Sequence, residues 1–474
     1  MALVDLTDQA LYGGLGVRPS LDVTSEGVRP VRYPISDAAL LHPDLLDKLL
    51  SPSGVHLCFD TEATCLSLSL CLCPGPCPEL QQRSFPPRTP DSFDPETLHL
   101  HELVMLDLYV DGRFFARRTN DPPIKGLSVN NIKVPHASKP IMVSDTDAAA
   151  AANLEALGAR LAELPQEVKT GSRQIVAVFG ELPAGRKRLE LYLPEKTPVR
   201  LHELKLEGGG ARVPAAVPVD DRRPLLVAYG SSITQGMPFS HGASRTWPVV
   251  AGRAADLRVM NLGVGGQCHF DQAMARHLRD TRADCFVFCL GINVHNLGSM
   301  SARTVVEGAL GFLSTVRDGH PETPICVISP IWGGFREAKS WQTDVGRGID
   351  RGATVPSLLE WRALLSSAVQ LLQQRGDKNL HYVDGLKVMG EDMAASFPDD
   401  LHPNGDGYER MGLRIAELAF GPNGLLLPGR VPEGTAAAKP ERPSASDFVD
   451  WLGKSTSSGV NEANPAKAPR CSGP

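Results

Sequence analysis

The pattern of apolar residues changes at about residue 222, and this change constrains the fold more than any other feature of the sequence. Before it, from about residue 50, apolar and polar residues often alternate, as in Cys65-Leu-Ser-Leu-Ser-Leu-Cys71. Alternation with period two is typical of strands with one buried face. After residue 222, short apolar runs alternate with longer amphipathic segments, a pattern typical of a parallel sheet covered by helices. We therefore expect the 474 residues to form two domains.

Residues 1–222 are predicted to form an antiparallel β-sandwich, because many short strands are separated by turn residues. The pair Asp111-Gly112 lies between two apolar runs, which predicts a tight hairpin. Two stretches interrupt the pattern and are predicted to be a long loop at 74–97 and a short Ala-rich helix within 143–164. Further strands are predicted at 174–179, 188–193 and 199–207.

Residues 223–428 are predicted to form an α/β domain, whose ligands bind at the carboxyl ends of the strands. Beyond residue 428 the chain is rich in Pro, Gly, Ala, Lys and Ser. Residues 429–474 are therefore expected to be a mostly disordered tail. The predicted strands of the α/β domain are 225–229, 258–262, 285–290, 325–329 and 380–383. The predicted helices are 244–256, 268–279, 302–319, 356–375 and 405–419.

Charge and the distribution of apolar residues argue against two classes of function, nucleic-acid binding and membrane spanning. The formal net charge is −6 with acids and bases mixed along the chain, which argues against a nucleic-acid partner. No run of 18 apolar residues appears, so no transmembrane segment is expected. The first residues lack a basic stretch followed by an apolar one, which favours a cytoplasmic location over a secretory signal. The sequence does not determine the oligomeric state.

Five of the ten cysteines crowd into residues 58–77. In a cytosolic protein such cysteines are expected to be reduced and mostly buried. The alternative is a metal site built on Cys71-x-Cys73-x₃-Cys77, but structural zinc sites add a second pair of ligands close by. His99 and His101 lie more than twenty residues further on. Neither a metal nor a cofactor is expected.

The residues after the first predicted α/β strand read Tyr-Gly-Ser-Ser-Ile-Thr-Gln-Gly, a sharp turn that presents two serines. Ser232 is the candidate nucleophile, and a serine needs a hydrogen-bonded histidine to react at neutral pH. The candidate base is His402, with Asp399 three residues before it to orient the ring. The alternative for Asp399 and His402 is a surface turn with incidental acids.

Two further strand ends offer donors for an oxyanion. Gly266 lies in a glycine-rich turn after the second strand, where no side chain blocks the approach to its N–H. Asn293 follows the third strand and offers a side-chain amide. The alternatives are a plain turn for Gly266 and a helix cap for Asn293. Each site is weak alone, but their joint occurrence in this order, each at the end of a predicted strand, would rarely arise by chance.

These four blocks resemble the SGNH hydrolases, also called GDSL-like esterases and lipases. Gly230-Ser-Ser-Ile is similar to the family's G-D-S-[ILV], Gly291-Ile-Asn-Val to G-x-N-D, and 399–402 to D-x-x-H. The resemblance implies a flavodoxin-like three-layer α/β/α domain. It also implies Ser232 as nucleophile and backbone oxyanion donor, Gly266 and Asn293 as the other donors, His402 as base and Asp399 as its partner. Ser231 and Val294 replace two aspartates of the family pattern.

The whole chain resembles a two-domain branch of that family with a jelly-roll-like sandwich ahead of the hydrolase. A few members of the branch are similar to acyltransferases of tetracycline-type polyketide pathways, and most resemble uncharacterised esterases. The sandwich is similar to carbohydrate-binding modules, which implies a sugar-bearing substrate, although no aromatic platform is evident. Trp247 is a candidate wall of the acyl pocket or a core residue. His269 is a candidate cleft residue or a helix cap.

The sequence therefore predicts a serine esterase that hydrolyses a small-molecule acyl ester through an acyl-enzyme. One alternative is an acyltransferase, since the same triad transfers an acyl group to an alcohol or a sugar. The other is a carbohydrate-binding protein with an inactive hydrolase domain. The sequence names neither the acyl group nor the alcohol.

Overall fold

The computed structural model describes residues 1–16, 20–72, 104–119, 174–209, 221–338, 341–342 and 354–437. The predicted loop at 74–97 and the predicted helix within 143–164 lie outside the described residues. So do the histidines at 99 and 101, two of the clustered cysteines, and most of the predicted tail.

The N-terminal half contains two antiparallel sheets, as the period-two pattern predicts. One has the strand order β3-β4-β11-β6-β9, with β1 paired to β11, and the other has the order β2-β5-β10-β7-β8. Their strands are β1 (Ala2–Val4), β2 (Tyr12–Gly13), β3 (Ser20–Thr24), β4 (Gly27–Val31), β5 (His56–Thr61), β6 (Cys65–Leu72), β7 (Met105–Val110), β8 (Arg113–Thr119), β9 (Gln174–Phe179), β10 (Lys187–Tyr192) and β11 (Val199–Glu207).

The two sheets enclose one apolar core. Leu66, Leu68 and Leu70 of β6 are fully buried, while the serines between them face the other way, so the alternation in the sequence selects the buried face. At the β7–β8 hairpin, Asp111 has φ 48° and Gly112 has φ 78°. Two positive φ values are the signature of the type I′ turn that suits the twist of antiparallel strands. The predicted hairpin is confirmed.

The C-terminal half contains a five-stranded parallel sheet in the order β13-β12-β14-β15-β18. In chain order this is 2-1-3-4-5, the flavodoxin-like arrangement, with its switch point beside β12. The strands are β12 (Leu225–Gly230), β13 (Arg258–Gly263), β14 (Cys285–Cys289), β15 (Ile325–Ile328) and β18 (Leu380–Val383). A separate hairpin joins β16 (Trp341–Gln342) to β17 (Thr354–Val355).

Helices cover both faces of the parallel sheet. Alternate residues of β12 belong to two different apolar clusters, Leu225 and Val227 to one and Leu226 and Ala228 to the other. Burial on both faces explains why this strand is continuously apolar in the sequence. The helices are α1 (Pro43–Leu49), α2 (Ser232–Gln235), α3 (Trp247–Ala254), α4 (Gln272–Asp280), α5 (Ile292–Leu297), α6 (Ala302–Gly319), α7 (Leu358–Gln374) and α8 (Gly405–Phe420).

Helix α1 is the clearest departure from the sequence reading, which contains no helix there. It lies in the half assigned to the sandwich, yet Leu45, Leu46 and Leu49 are buried in the core of the parallel sheet together with Tyr33 and Leu41. The segment from 33 to 49 therefore packs against the α/β half. A division of the chain at residue 222 stays a prediction.

The first residues of the predicted tail contact α8. Val431 is 2% exposed, and the backbone N–H of Ala436 donates to Glu417 at 2.9 Å. The rest of the tail from residue 438 lies outside the described residues. None of the described helices is long and apolar enough to cross a membrane.

The cysteines described by the structure are all reduced. Burial raises the pKa of the Cys58 thiol to about 12, so it stays protonated at neutral pH. Across the described ranges, no three His, Cys, Asp or Glu side chains are grouped closely enough to hold a metal ion. Cys73 and Cys77 of the spacing considered above are not among them.

Candidate active site

The turn after β12 presents Ser232 at the first residue of α2. Ser231 caps this short helix, since its hydroxyl accepts a hydrogen bond from the N–H of Ile233 at 3.2 Å. Ser231 is 1% exposed, whereas Ser232 is only partly buried. The geometry therefore favours Ser232 as the candidate nucleophile: Ser231 holds the turn, and Ser232 is the more accessible of the two serines.

Glycine at position 230 lets this turn pack tightly against its neighbours. A Cβ added to Gly230 would lie 2.3 Å from the hydroxyl of Thr234 and 2.8 Å from the carbonyl oxygen of Cys289. Gly236 ends the helix with φ 97°, a conformation that favours glycine. The two glycines flanking the serines in the sequence are thus required by close packing and by backbone conformation.

Ser232, His402 and Asp399 form one chain of hydrogen bonds. Ser232 Oγ lies 2.8 Å from His402 Nε2, and His402 Nδ1 lies 2.6 Å from Asp399 Oδ2. The other carboxylate oxygen of Asp399 accepts from the backbone N–H groups of Leu401 and His402, at 3.1 and 2.7 Å. The structure brings together the three side chains that the sequence singled out from segments 170 residues apart.

Asp399 is held in its ionised form. Burial alone would raise the pKa of this carboxyl, but hydrogen bonds from the His402 ring and from two backbone N–H groups outweigh burial. Its pKa therefore lies below the ordinary value. An ionised Asp399 accepts from Nδ1–H, so in the neutral form of the His402 ring Nε2 is the acceptor that faces the hydroxyl of Ser232.

Two side chains that the sequence reading missed support the His402 loop. Arg336, 4% exposed, donates to the carbonyl oxygen of Asp400 at 2.9 Å. The ring of Phe239 meets the His402 ring edge-on with centroids 6.5 Å apart. Neither residue carries a signal in the sequence, because Phe239 lies in a turn and Arg336 in a single 3₁₀ turn, and the positions of both depend on the tertiary fold.

Gly266 lies at the third position of a tight turn in which Gln267 N–H donates to Val264 O at 3.1 Å. Its φ of 71° suits the type II turn. The N–H of Gly265 is bound by Gln235 Oε1 at 2.8 Å. The N–H of Gly266, in contrast, makes no hydrogen bond within the part of the chain that the structure describes. A Cβ on Gly265 would lie 3.6 Å from Cβ of Ser232, so this loop runs directly beside the serine.

Asn293 lies in the first turn of α5 and is 5% exposed. Its Oδ1 accepts from the N–H of Cys268 at 3.0 Å, which ties it to the loop that carries Gly266. Fixing the oxygen fixes the orientation of the amide, and Nδ2 is a donor without a hydrogen bond to any of the residues that the structure describes. Val294, in place of the family's aspartate, is fully buried in the core.

Trp247 and His269, the candidate pocket and cleft residues, lie in different environments. Trp247 is 0% exposed and packs in the core between the parallel sheet and α8, so it offers no surface to a ligand. His269 lies beside the glycine loop, with Nε2 2.9 Å from the carbonyl oxygen of Gly266 and Nδ1 2.7 Å from Ser299 Oγ. Since a carbonyl oxygen only accepts, Nε2 of His269 carries the proton. His269 therefore supports the loop by donating to the backbone carbonyl of Gly266.

The fold and the contents of this strand-end site define the SGNH class of enzymes. Residues 223–415 match the model of the GDSL-like lipase/acylhydrolase family. Residues 223–415 therefore form a domain of that family, and the protein is an enzyme of the SGNH type.

Two solved structures extend the likeness over both halves. A salicylyl-acyltransferase from a tetracycline biosynthetic pathway is 25% identical, with a TM-score of 0.61, over 87% of this chain and 94% of that one. A GDSL-like lipase from Bacteroides ovatus is 18% identical, with a TM-score of 0.54, over 84% of this chain and 94% of that one. At that lower identity, the second likeness shows the fold alone. No curated protein sequence matches the chain.

Proposed function

We propose that the protein is a serine esterase that hydrolyses a small-molecule acyl ester through an acyl-enzyme. The observation that carries this proposal is the 2.8 Å contact between Ser232 Oγ and His402 Nε2, with Asp399 bound to the far side of the ring. A hydroxyl at this distance from an unprotonated ring nitrogen is poised to lose its proton as it attacks a carbonyl.

In the first half-reaction Ser232 Oγ attacks the ester carbonyl while His402 Nε2 takes its proton. The imidazolium that forms is stabilised by the carboxylate of Asp399. The negative charge that develops on the carbonyl oxygen is met by three donors: the N–H groups of Ser232 and Gly266 and the Nδ2 of Asn293. His402 then gives its proton to the departing alcohol, and the acyl group remains on Ser232.

In the second half-reaction the same groups act on water. His402 Nε2 removes a proton from a water molecule as its oxygen attacks the acyl-enzyme. The same three donors hold the second oxyanion, and the proton passes to Ser232 Oγ as the carboxylic acid leaves. Apart from the ester and one water molecule, the two steps use only groups of the chain itself.

Covalent labelling tests this proposal. A fluorophosphonate probe is expected to label the wild-type protein at Ser232, because activated serines react with phosphorus electrophiles. Ser232→Ala should lose the label, and Ser231→Ala should keep it. An unlabelled wild-type protein would favour the remaining alternative, a carbohydrate-binding protein with an inactive hydrolase domain.

Acyl transfer to an alcohol or sugar is the second candidate function. It is favoured by the likeness to the salicylyl-acyltransferase, at 25% identity over most of both chains. The chemistry differs only in the second nucleophile, an acceptor hydroxyl in place of water. Product analysis with and without an added alcohol separates the two, since an acyltransferase makes the new ester at the expense of the free acid.

The substrate class can be determined by measuring activity on a panel of acyl esters that differ in chain length and in sugar content. The Ser232→Ala variant, assayed beside the wild type, gives the background. A preference for sugar esters would agree with the proposal that the sandwich domain, predicted at 1–222, binds the sugar while the predicted domain 223–428 carries catalysis. A cytoplasmic location and the absence of a nucleic-acid partner stay predictions.

A further inference from the structure

A fully buried serine from the N-terminal half reaches the turn that carries Ser232. Ser53 is 0% exposed and follows α1, outside the parallel sheet. Its hydroxyl donates to the carbonyl oxygen of Gln235 at 2.7 Å and accepts from Asn261 Nδ2 at 2.8 Å. Gln235 is the last residue of α2, so the bond holds the end of the helix that Ser232 begins.

Asn261 and Gln235 extend this contact to the glycine loop. Asn261 Nδ2 also donates to the carbonyl oxygen of Thr234 at 2.9 Å, and its Oδ1 accepts from the N–H of Gly263 at 2.9 Å. The side chain of Gln235 accepts from Gly265 N–H at 2.8 Å. One run of hydrogen bonds therefore connects Ser53 with both α2 and the residue preceding Gly266.

The packing leaves this network little room to relax. A Cβ on Gly54 would lie 2.9 Å from Cβ of Asn261, and one on Gly263 would lie 2.1 Å from the backbone nitrogen of Gln235. Arg32, buried and with its pKa lowered to about 9 by that burial, donates to the carbonyl oxygens of Asn261 and Gly263, each at 2.8 Å. Backbone approaches this close transmit a displacement at one end to the other.

We propose that Ser53 is a positioning residue for the reaction, which makes the N-terminal half part of the catalytic apparatus and more than a binding module. The inference rests on the proposed function of Ser232. The hydroxyl of Ser53 bonds Gln235 and Asn261; it acts by fixing the C-terminal end of α2 and, through Gln235, the Gly266 loop. A displacement of about 1 Å in such groups costs up to about a hundredfold in rate.

Ser53→Ala is the test, with Ser51→Ala as the matched control. Both serines are almost fully buried, at 0% and 2% exposure, and both lose a bond to a carbonyl. Ser51 Oγ, however, donates to Lys196 O at 3.2 Å and has no side-chain bond to α2 or the glycine loop. We expect Ser53→Ala to lower kcat by about tenfold to a hundredfold with KM nearly unchanged, and Ser51→Ala to keep the wild-type kcat.

Two readouts separate positioning from loss of folded protein. The fluorophosphonate probe should label Ser53→Ala to full stoichiometry but more slowly than wild type, whereas a merely unstable variant would be labelled substoichiometrically. Equal falls in kcat for Ser53→Ala and Ser51→Ala, or a wild-type kcat in Ser53→Ala, would overturn the inference. Unchanged activity in Ser232→Ala would instead overturn the proposed function.

Gln235→Met supplies a second route if Ser53→Ala does not fold. It keeps the volume of the side chain but removes the acceptor for Gly265 N–H and the donor to the carbonyl oxygen of Glu195. The same displacement of the Gly266 loop is expected, with a fall in kcat of about tenfold or more and an unchanged KM. A wild-type kcat in a folded Gln235→Met would count against the inference.

Discussion

The core of the sandwich and the carboxyl end of the parallel sheet use their buried positions in opposite ways. The sandwich core is a continuous cluster of leucines, valines and aromatic rings. Near the carboxyl ends of β12, β13 and β14, buried positions hold Ser231, Asn261 and Asn293 instead. Burying a polar group is costly unless it is hydrogen-bonded, and these side chains are bonded to backbone groups.

Because of this difference, we expect the sandwich core to determine stability and the strand ends to determine the reaction rate. Apolar burial is non-directional and stabilises the fold in proportion to area, so changes in the sandwich core should alter stability. Bonded polar groups are directional, so changes at the strand ends should alter the rate. The interface between the halves, where Arg32 and Ser53 meet α2 and β13, combines both properties.

The largest expected effect is the loss of the base. His402→Ala removes the proton acceptor for Ser232, and kcat should fall by about 10⁶-fold, as when a triad histidine is removed from other serine hydrolases. Steady-state kinetics measures the loss, and the urea midpoint should move little because the side chain is only partly buried. A kcat within tenfold of wild type would break the assignment of this region to catalysis.

Asp399→Asn should follow, with a loss of about 10⁴-fold in kcat. An amide at this position favours the wrong tautomer of His402, so Nε2 carries a proton and accepts none from Ser232. Asp400→Asn is the matched control, since Asp400 is an exposed neighbour with φ 56°, which asparagine tolerates. Equal effects of the two substitutions would contradict the assignment of Asp399.

Asn293→Ala should lower kcat by about a hundredfold to a thousandfold, the usual cost of one oxyanion donor. The variant also loses the acceptor for Cys268 N–H. Asn293→Asp separates the two roles, because it keeps that acceptor and removes the donor. A rate restored by Asn293→Asp would show that Asn293 only anchors the loop.

Leu68→Ala in the sandwich core should act on stability alone. Leu68 is 0% exposed, and its truncation should lower the free energy of unfolding by about 2–5 kcal/mol. Val178→Ala, on the adjacent strand but 42% exposed, is the control and should change the urea midpoint little. A large fall in kcat for folded Leu68→Ala would contradict the expectation that the sandwich core affects stability and not the reaction rate.

The smallest expected effect is the dependence of stability on pH at Asp399. Its pKa is below the ordinary 3.8 in the folded protein, so its carboxylate stabilises the fold above that pH. This contribution is lost as pH falls through the folded pKa. The difference in unfolding free energy between wild type and Asp399→Asn should shrink as pH falls below about 4. A difference that grows as pH falls below about 4 would contradict the sign of this contribution.

Much of the fold follows from local patterns in the sequence. The strands at 174–179, 199–207 and 380–383 and the helix at 302–319 have the predicted bounds, since their periodicity is undisturbed. Strands β1 to β4 and helix α1 were missed because they are short and their apolar residues are contributed to cores assembled from distant segments. The predicted site residues follow strands of the parallel sheet. They could be predicted because the carboxyl ends of parallel strands meet at one edge of the sheet.

The sequence by itself determined the two kinds of sheet and the order of the four polar blocks, because periodicity and strand ends are local properties. It also determined which residues were candidates for nucleophile, base and oxyanion donors. Only the tertiary structure decided that Ser53 and Arg32 meet α2 and β13, that Trp247 is buried, and that His269 bonds the carbonyl of Gly266. These contacts join segments up to 231 residues apart, and no local pattern encodes such a distance.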